Sequence, residues 1–437
     1  MEDHQLTTKK NTLISTFFDE KITEDQSSNL PHLSIQPSPT PASASASYPF
    51  LLYCCISSLC HDDGAINSIA VSGNLVLTGS STTRIHAWQS LDCHAKGYIK
   101  TTSGDVRAMV SHGDLLFTSH KDHKVRMWNM KNPRGDFEPR KVTTLPNNIT
   151  GHFKNYPFRK HAIALQHKDT ISCMAFNHVE GLLYTGSFDR TIKVWKLNEK
   201  KCVDSIIAHR GNINDMVINQ QNGYLFTCSS DGTVKMWLRA YGETLHTLIK
   251  VLNFNTCPVY ALALSVSPSH RSILYSGPSD GCINFWAEEN SFQYNHNGFL
   301  KGHHFGVLCL VTLEDLVISG SEDSTIRMWR REKGRVIHEC LAVLEGHRGP
   351  VRCLAAYLPK DKAMMSFLVY SASLDRTFKV WRVKLLREVK KFTDNSSTRE
   401  DGMESEGDPI GFEASPVISP SRVKKKLRYR NPQFFTS

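Results

Sequence analysis

The sequence predicts an all-β protein in which one strand-turn-strand unit recurs seven times. The clearest copy runs from Leu183 to Trp195, where two alternating apolar runs flank a short polar turn that carries Asp189. This pattern is typical of two antiparallel strands joined by a tight hairpin. The same string ends at every one of the seven tryptophans of the 437-residue chain. Because no tryptophan falls outside the pattern, we interpret the recurrence as architecture.

A hydroxyl and a carboxylate stand at fixed distances before each tryptophan. The tryptophans are Trp88, Trp128, Trp195, Trp237, Trp286, Trp329 and Trp381. The residues ten positions earlier are all Ser or Thr, namely Thr78, Thr118, Thr185, Thr227, Ser276, Ser319 and Ser371. Six copies carry Asp six positions before the tryptophan, namely Asp122, Asp189, Asp231, Asp280, Asp323 and Asp375. Four copies have a histidine further upstream, namely His167, His209, His303 and His347.

These four residue types can form one buried hydrogen-bonded chain. The carboxylate accepts from the imidazole, the imidazole meets the hydroxyl, and the hydroxyl accepts from the indole N–H, so each polar group is satisfied inside a sheet. Three copies depart from this pattern: Thr82 replaces Asp in the first, Ser103 replaces His in the second, and the start of the fifth is irregular near Asn255. We expect those three repeats to be less stable than the others.

The Asp-His-Ser/Thr-Trp set resembles the tetrad of the WD40 repeat, whose repeats form four-stranded propeller blades. The resemblance covers roughly residues 50 to 384 and implies a seven-bladed β-propeller. A strand-like segment from Phe50 to Leu59 precedes the first repeat, whereas the last repeat, ending at Trp381, lacks an outer strand. We expect these two segments to pair and to close the ring.

The predicted propeller, residues 48–384, lies between two predicted disordered tails. Residues 1–47 include a Ser/Pro/Ala-rich stretch that cannot bury enough apolar surface to fold. A basic insertion, residues 131–165, separates the second and third blades. The charged tail, residues 385–437, ends in a basic cluster that resembles either a nuclear import signal or a polyanion-binding segment, the alternative being a solvated end. The cluster consists of Lys424, Lys425, Lys426, Arg428 and Arg430.

Composition points to an intracellular protein. The polar segment Met1 to Lys10 is unlike a signal peptide, and the run from Tyr48 to Leu59 is too short to span a bilayer. The twelve cysteines are scattered without a CxxC pair, as expected for reduced apolar side chains. We therefore expect a protein of the cytoplasm, the nucleus or both, with no membrane insertion.

No catalytic motif is found in the sequence. A nucleophile elbow, a phosphate-binding glycine loop, zinc-ligand spacing and HExxH are all missing. The repeated Asp and His residues occur once per repeat and therefore indicate architecture. We expect no enzymatic activity, no cofactor and no metal site. A rigid ring whose loops form a composite surface is expected instead to bind other proteins.

The WD40 resemblance also nominates a binding surface. In WD40 relatives, partners usually bind the face that bears the turn before strand one and the Asp hairpin. The corresponding strand-start residues are Asn67, Arg107, Ser172, Asn214, Tyr260, Leu308 and Arg352. The hairpins add Lys121, Phe188, Glu322 and Leu374. Arg, Tyr, Phe and Leu on one rim suit a protein interface, because aromatic residues and Arg are enriched at binding hot spots.

A narrower resemblance is to one plant WD40 family, the JINGUBANG family. It rests on the segment from Gly64 to Ser72, the basic excursion after blade two and the run from Leu341 to Arg352. It implies a non-enzymatic regulator that docks other proteins, transcriptional regulators among them. The rival hypothesis is nucleic-acid or polyanion binding through the basic tail and the insertion, where Phe153, Tyr156 and Phe158 interleave with basic residues.

Overall fold

The computed structural model describes residues 51–385, apart from 61–63, 132–136, 148–165, 240–244, 253–255, 268–269, 291–292, 333–336 and 360–365. The secondary structure of this part of the chain consists of strands only, β1 to β28. They form seven sheets of four antiparallel strands each. The prediction of a seven-bladed β-propeller is therefore confirmed. The predicted tails and the basic cluster near Lys424 lie outside the described residues.

Six sheets take their four strands in chain order, from the inside of the ring outward. Blade 1 consists of β2 (Ile66–Ser72), β3 (Leu75–Ser80), β4 (Arg84–Gln89) and β5 (Ala95–Lys100). Blade 2 consists of β6 (Met109–His112), β7 (Leu115–Ser119), β8 (Val125–Asn129) and β9 (Arg140–Leu145). Blade 3 consists of β10 (Ile171–Asn177), β11 (Leu182–Ser187), β12 (Thr191–Lys196) and β13 (Lys201–Ile207). Blade 4 consists of β14 (Ile213–Ile218), β15 (Leu225–Ser229), β16 (Val234–Arg239) and β17 (His246–Leu252). Blade 5 consists of β18 (Val259–Ser267), β19 (His270–Pro278), β20 (Ile283–Asn290) and β21 (Gln293–Leu300). Blade 6 consists of β22 (Val307–Leu313), β23 (Leu316–Ser321), β24 (Ile326–Arg331) and β25 (His338–Leu344).

Blade 7 closes the ring with strands from both ends of the described chain. It contains β26 (Val351–Tyr357), β27 (Ser366–Ser373), β28 (Thr377–Leu385) and, outermost, β1 (Leu51–Cys60). β1 pairs antiparallel with β28 from Leu51 opposite Leu385 to Cys60 opposite Thr377. The innermost strands contact one another around the ring, including β2 with β26. The predicted closure is confirmed, with the strand running one residue past Leu59.

The tryptophans occupy equivalent places in all seven sheets. Beside each one, the pairing between the third and outermost strands shifts register by a β-bulge. Each tryptophan also packs into the apolar layer shared with the preceding blade, as Trp237 does against Leu182 and Tyr184 of blade 3. The tryptophan is thus the residue through which each sheet contacts its neighbour, which explains its strict recurrence.

The segment assigned to a basic insertion contains part of the frame. β9 (Arg140–Leu145) is the outermost strand of blade 2, so two cationic residues of the predicted insertion, Arg140 and Lys141, belong to a sheet. Phe137, just before this strand, packs on blade 1 beside Gly97, which has a positive φ of 138°. The aromatic residues Phe153, Tyr156 and Phe158 lie outside the described residues.

Candidate functional site

The complete tetrad of blade 3 is a continuous chain of buried hydrogen bonds. Nδ1 of His167 lies 3.0 Å from Asp189 Oδ2, and Nε2 lies 2.8 Å from the hydroxyl of Thr185. That hydroxyl accepts the indole N–H of Trp195 at 3.0 Å. With Nδ1 protonated, the imidazole donates to the carboxylate and accepts from the hydroxyl, so every polar atom is paired. The chain links the hairpin, the segment before β10 and the tryptophan of one blade.

Three further blades repeat this geometry. The His to Asp distance is 3.1 Å in blade 4, 2.8 Å in blade 6 and 3.3 Å in blade 7. The His to hydroxyl distance is 2.8, 2.7 and 2.7 Å in the same order, and the indole to hydroxyl distance is 3.0, 3.0 and 2.9 Å. The residues are His209, Asp231, Thr227 and Trp237; His303, Asp323, Ser319 and Trp329; and His347, Asp375, Ser371 and Trp381.

The tetrads hold fixed protonation states near neutral pH. Burial lowers the pKa of His209 to about 4, despite the neighbouring carboxylate, so the ring is neutral. Burial alone would raise the pKa of Asp323, yet hydrogen bonds from Thr325 and His303 bring it down to about 2. The pKa values of the other tetrads shift in the same directions, which favours a charged Asp beside a neutral His. This arrangement suits a structural role.

Blade 2 forms a shorter chain, without the carboxylate, from a different histidine. Nε2 of His120 lies 2.8 Å from the Thr118 hydroxyl, which accepts the Trp128 indole N–H at 2.9 Å. Nδ1 of His120 lies 2.8 Å from the backbone carbonyl oxygen of Ser103. The tetrad of this blade is thus incomplete, since no histidine among the described residues bonds Asp122, but a hairpin histidine that was not assigned from the sequence reaches the hydroxyl. A local sequence signal pointed to His120. It stands two residues after the hydroxyl residue Thr118, at a place where the complete copies have Ser, for example Ser187 after Thr185.

The carboxylate of blade 2 has a different partner as a consequence. Asp122 receives two hydrogen bonds from the guanidinium of Arg126, at 3.0 and 2.7 Å. The same guanidinium donates to the hydroxyl of Thr102 at 3.1 Å. Thr102 stands four residues before Val106, as each tetrad His stands four residues before its first buried strand residue. In blade 2 the position of the tetrad histidine is therefore occupied by Thr102, and not by Ser103 as predicted.

Blades 1 and 5 keep only parts of the set. In blade 1 the Trp88 indole donates to Thr78 at 3.0 Å, and the Thr82 hydroxyl accepts the Arg84 backbone N–H at 3.3 Å. In blade 5 the carboxylate of Asp280 accepts from the Cys282 backbone N–H at 2.8 Å and from the Cys257 thiol at 3.7 Å. Asn255 lies outside the described residues.

The predicted binding residues lie on one end of the ring, which we call the hairpin face. It is the end that bears the hairpin between the second and third strands of each blade and the segment that leads into the first strand. A backbone hydrogen bond joins the two parts within a blade, for example Phe188 N–H to Thr170 O and Leu374 N–H to Pro350 O, both at 3.0 Å. Hairpin and strand-start residues of one blade therefore form one surface.

Several of the predicted binding residues have partners within the ring. Arg107 pairs with Asp105 at 3.1 Å, and Asn67 of the preceding blade donates to the same carboxylate at 3.1 Å. Asn214 donates to the backbone carbonyl of Val259 at 2.7 Å in the next blade. The hydroxyl of Ser172 reaches a backbone carbonyl of blade 4 in the same way. These polar residues join neighbouring blades, which does not require a ligand.

Other predicted binding residues are more open. Leu374 is 44% exposed, Arg352 and Lys121 are exposed, and Phe188, Tyr260 and Leu308 are half-buried. Burial and the nearby carboxylate of Glu322 raise the pKa of the Tyr260 phenol, which therefore stays protonated. Of the exposed members, Arg352 and Leu374 belong to blade 7 and Lys121 to blade 2.

Sequence reasoning missed one residue of this surface. Phe305 is 61% exposed and lies in the segment that leads into blade 6, between the tetrad residue His303 and Gly306. An aromatic side chain in such a short turn has no buried strand position to fill, and that signal was present in the sequence. Phe305 extends the apolar part of the hairpin face in blade 6.

Two further observations concern other classes of site. Among the residues that the structure describes, no three His, Cys, Asp or Glu side chains come together as metal ligands would. The described part of the chain also contains no helix with the length and hydropathy of a membrane span.

Comparison with known proteins identifies the repeats. The family model for the WD40 repeat (WD domain, G-beta repeat) matches residues 160–196, 200–237, 246–287, 295–330 and 338–382. The matches cover the inner three strands of blades 3 to 7, and each of the last four begins at the outermost strand of the preceding blade. The chain is 21% identical to telomerase protein component 1 of Mus musculus over 338 residues, which are 75% of this chain and 10% of that protein. It is 28% identical to WD repeat-containing protein pop2 of Schizosaccharomyces pombe over 107 residues, 23% of this chain and 15% of that one.

A plant protein is also similar. The DENN domain and WD repeat-containing protein SCD1 of Arabidopsis thaliana is 30% identical over 150 residues, which are 34% of this chain and 12% of that protein. The chain thus spans a small fraction of the length of the curated relatives it matches.

Proposed function

We propose that this chain, a seven-bladed propeller carrying WD40 repeats, is a non-enzymatic scaffold that binds partner proteins on its hairpin face. WD40 propellers are generally scaffolds of this kind. One observation carries the proposal. A nearly constant frame of tetrads and bulges presents different side chains at the same strand-start position, among them Tyr260, Leu308 and Arg352.

The chemistry of the open residues supports a protein partner. Tyr260, Leu308 and Phe305 supply aromatic and aliphatic area, and Arg352 and Leu374 continue the surface into blade 7. Aromatic residues and Arg dominate protein interfaces because they bury large areas while keeping a polar group for orientation. A rigid sheet frame holds these side chains in fixed relative positions, which lowers the entropy lost on binding.

We further propose that the protein acts in the cytoplasm, the nucleus or both, and that its partners include transcriptional regulators. The support is the resemblance to the plant JINGUBANG family and the basic cluster from Lys424 to Arg430. Localisation of a tagged chain with and without Lys424→Ala/Lys425→Ala/Lys426→Ala tests the import signal. Unchanged nuclear levels would contradict its role.

The docking proposal is tested by native co-purification after nuclease treatment. The variant Tyr260→Ala/Leu308→Ser alters the hairpin face in blades 5 and 6, and Val179→Ser alters an exposed apolar residue in the turn between β10 and β11, at the opposite end of the ring. We expect the double variant, and not Val179→Ser, to lose co-purifying proteins. Partners unaffected by the double variant but removed by nuclease would instead favour nucleic-acid binding by the basic segments.

A further inference from the structure

We propose that the hairpin face of blade 7 binds an acidic segment of a partner protein. Carboxylates of that segment would pair with Arg348, Arg352 and Arg376, and an apolar residue would cover Leu374. This inference rests on the proposed function, since it names the class of segment that one sector of the same face binds.

Two adjoining turns bring the three arginines to one sector. The backbone N–H of Arg348 donates to Asp375 Oδ2 at 2.7 Å, and the backbone N–H of Leu374 donates to Pro350 O at 3.0 Å. The segment carrying Arg348 and Arg352 therefore lies against the hairpin that carries Leu374 and Arg376. All three arginines are exposed, as is Leu374 at 44%. The apolar residue Leu374 thus lies in a sector to which both turns contribute arginines.

A second blade shows what makes this sector different. Arg107 occupies in blade 2 the position that Arg352 occupies in blade 7, and its guanidinium is neutralised by Asp105 two residues earlier. The residue two positions before Arg352 is Pro350, which has no charge. Within the described residues, the ion pairs formed by arginines involve Arg107, Arg126, Arg239 and Arg331, and none involves the three arginines of this sector.

The nearby acidic groups do not cancel this charge. Asp375 receives hydrogen bonds from the backbone of Arg348, from Thr377 and from the imidazole of His347, and its side chain is only 11% exposed. Glu345 directly follows β25, the outermost strand of blade 6, and so lies at the outer edge of the ring. The arginines thus face solvent with their charge available to a ligand.

The number of cations, three on two adjoining turns, favours a segment with several carboxylates. The three guanidiniums come from three different positions on two turns, so a single anionic group would not be the natural ligand for all of them. Guanidinium groups form paired hydrogen bonds with carboxylates, which fixes orientation as well as charge. An extended segment with acidic residues on either side of an apolar one suits cations carried by the two turns that meet at Leu374. Charge complementarity of this kind sets specificity and association rate.

The test measures peptide binding to the full chain by fluorescence anisotropy. The probe is a fluorescein-labelled peptide with glutamates on both sides of a leucine, and its matched control has glutamine in place of each glutamate. We expect the glutamate peptide to bind about tenfold more tightly or better, and its affinity to fall as salt rises. Arg348→Glu/Arg352→Glu should reduce the affinity about tenfold or more, and Leu374→Ser should reduce it several-fold.

A matched control variant separates local charge from net charge. Arg382→Glu changes an exposed arginine of the same blade that lies on β28 at the register of Cys54, away from the hairpin. It should leave the affinity unchanged, and thermal unfolding should show that all variants are folded. Equal binding of the two peptides would overturn the proposal. So would equal loss in Arg382→Glu, or tighter binding of a phosphoserine peptide or a single-stranded oligonucleotide at the same residues.

This outcome can be separated from the fate of the proposed function. If the peptide fails to bind but Tyr260→Ala/Leu308→Ser still loses its partners, the acidic-segment proposal falls and docking on the hairpin face stands. If the peptide binds to blade 7 and native partners are indifferent to every hairpin-face variant, the proposed function falls.

Discussion

Blades 2 and 3 solve the same problem with different residues. Each must satisfy a buried indole N–H and a buried hydroxyl, and each does so with an imidazole 2.8 Å from that hydroxyl. In blade 3 the imidazole comes from the segment before the sheet and is held by Asp189, whereas in blade 2 it comes from the hairpin and is held by a backbone carbonyl. The two blades therefore pair the same indole and hydroxyl with an imidazole that comes from different sequence positions.

The largest effect expected from this view separates blade 3 from blade 1. Trp195 is 2% exposed and ends a complete chain, so Trp195→Ala should lower the free energy of unfolding by about 3–5 kcal/mol. Trp88 is half-buried and stacks on Phe378, and its indole donates to Thr78 as the one hydrogen bond it forms within the set of blade 1. Trp88→Ala should therefore lower the free energy of unfolding by less than Trp195→Ala does. Denaturant unfolding of the two variants measures the difference. Equal losses would contradict the tetrad account.

The next effect tests the assignment of His120. His120→Ala leaves the buried Thr118 hydroxyl without its imidazole and should cost about 1–3 kcal/mol. Ser103→Ala keeps the backbone carbonyl that His120 uses, so its cost should stay within about 0.5 kcal/mol. Denaturant midpoints measured at one pH compare the two. If Ser103→Ala were the more damaging, the reassigned chain would be incorrect.

A smaller effect concerns acid stability in blade 4. Burial places the pKa of His209 at about 4, below the ordinary 6.5, so the unfolded chain binds the extra proton between these values. Stability from this group is complete above pH 6.5 and is lost as pH falls toward 4. The free energy of unfolding of His209→Gln should therefore fall by about 1–2 kcal/mol less between pH 7 and pH 5 than that of the wild type, although the variant is less stable overall. Urea unfolding across this range measures it, and an unchanged pH slope would argue against the neutral buried imidazole.

The smallest effect has the opposite sign. Asp215 stands where the other inner strands carry Ser, Ala or Cys, and it accepts the Leu262 backbone N–H of the next blade at 2.8 Å. Burial raises its pKa to about 6, so this group stabilises the fold least above pH 6 and most below its ordinary pKa near 3.8. Asp215→Asn keeps an acceptor for that N–H and should add about 1 kcal/mol above pH 6. Lower stability of the variant at pH 7.5 than at pH 4.5, relative to wild type, would contradict this.

Local periodicity made most of the frame predictable. The hairpin around Asp189, the tryptophan at its end and the missing outer strand of blade 7 are all patterns within one repeat or between its copies. His120 was misjudged because its role depends on where its ring points in three dimensions, which spacing from the tryptophan does not give. β9 was hidden inside the insertion because its six residues, Arg140–Leu145, begin with two charges on an exposed edge.

The binding surface was less predictable for a related reason. Asn214 and Tyr260 occupy the same position of their repeats, yet Asn214 is committed to Val259 of the next blade, whereas the phenol of Tyr260 lies toward Glu322. Which strand-start residues are free to bind a partner depends on the loop of the neighbouring blade. That contact is distant in sequence and follows no period.

Site-specific photo-crosslinking tests the central claim, that partners bind the hairpin face, most directly. A photoreactive amino acid replaces Leu308 in one version of the full chain and Val179, which lies at the opposite end of the ring and is 69% exposed, in the other. Irradiation in nuclease-treated native extracts should attach proteins at position 308 and not at position 179. Crosslinks at position 179 alone, or none that survive nuclease treatment, would contradict a protein scaffold that works through its hairpin face.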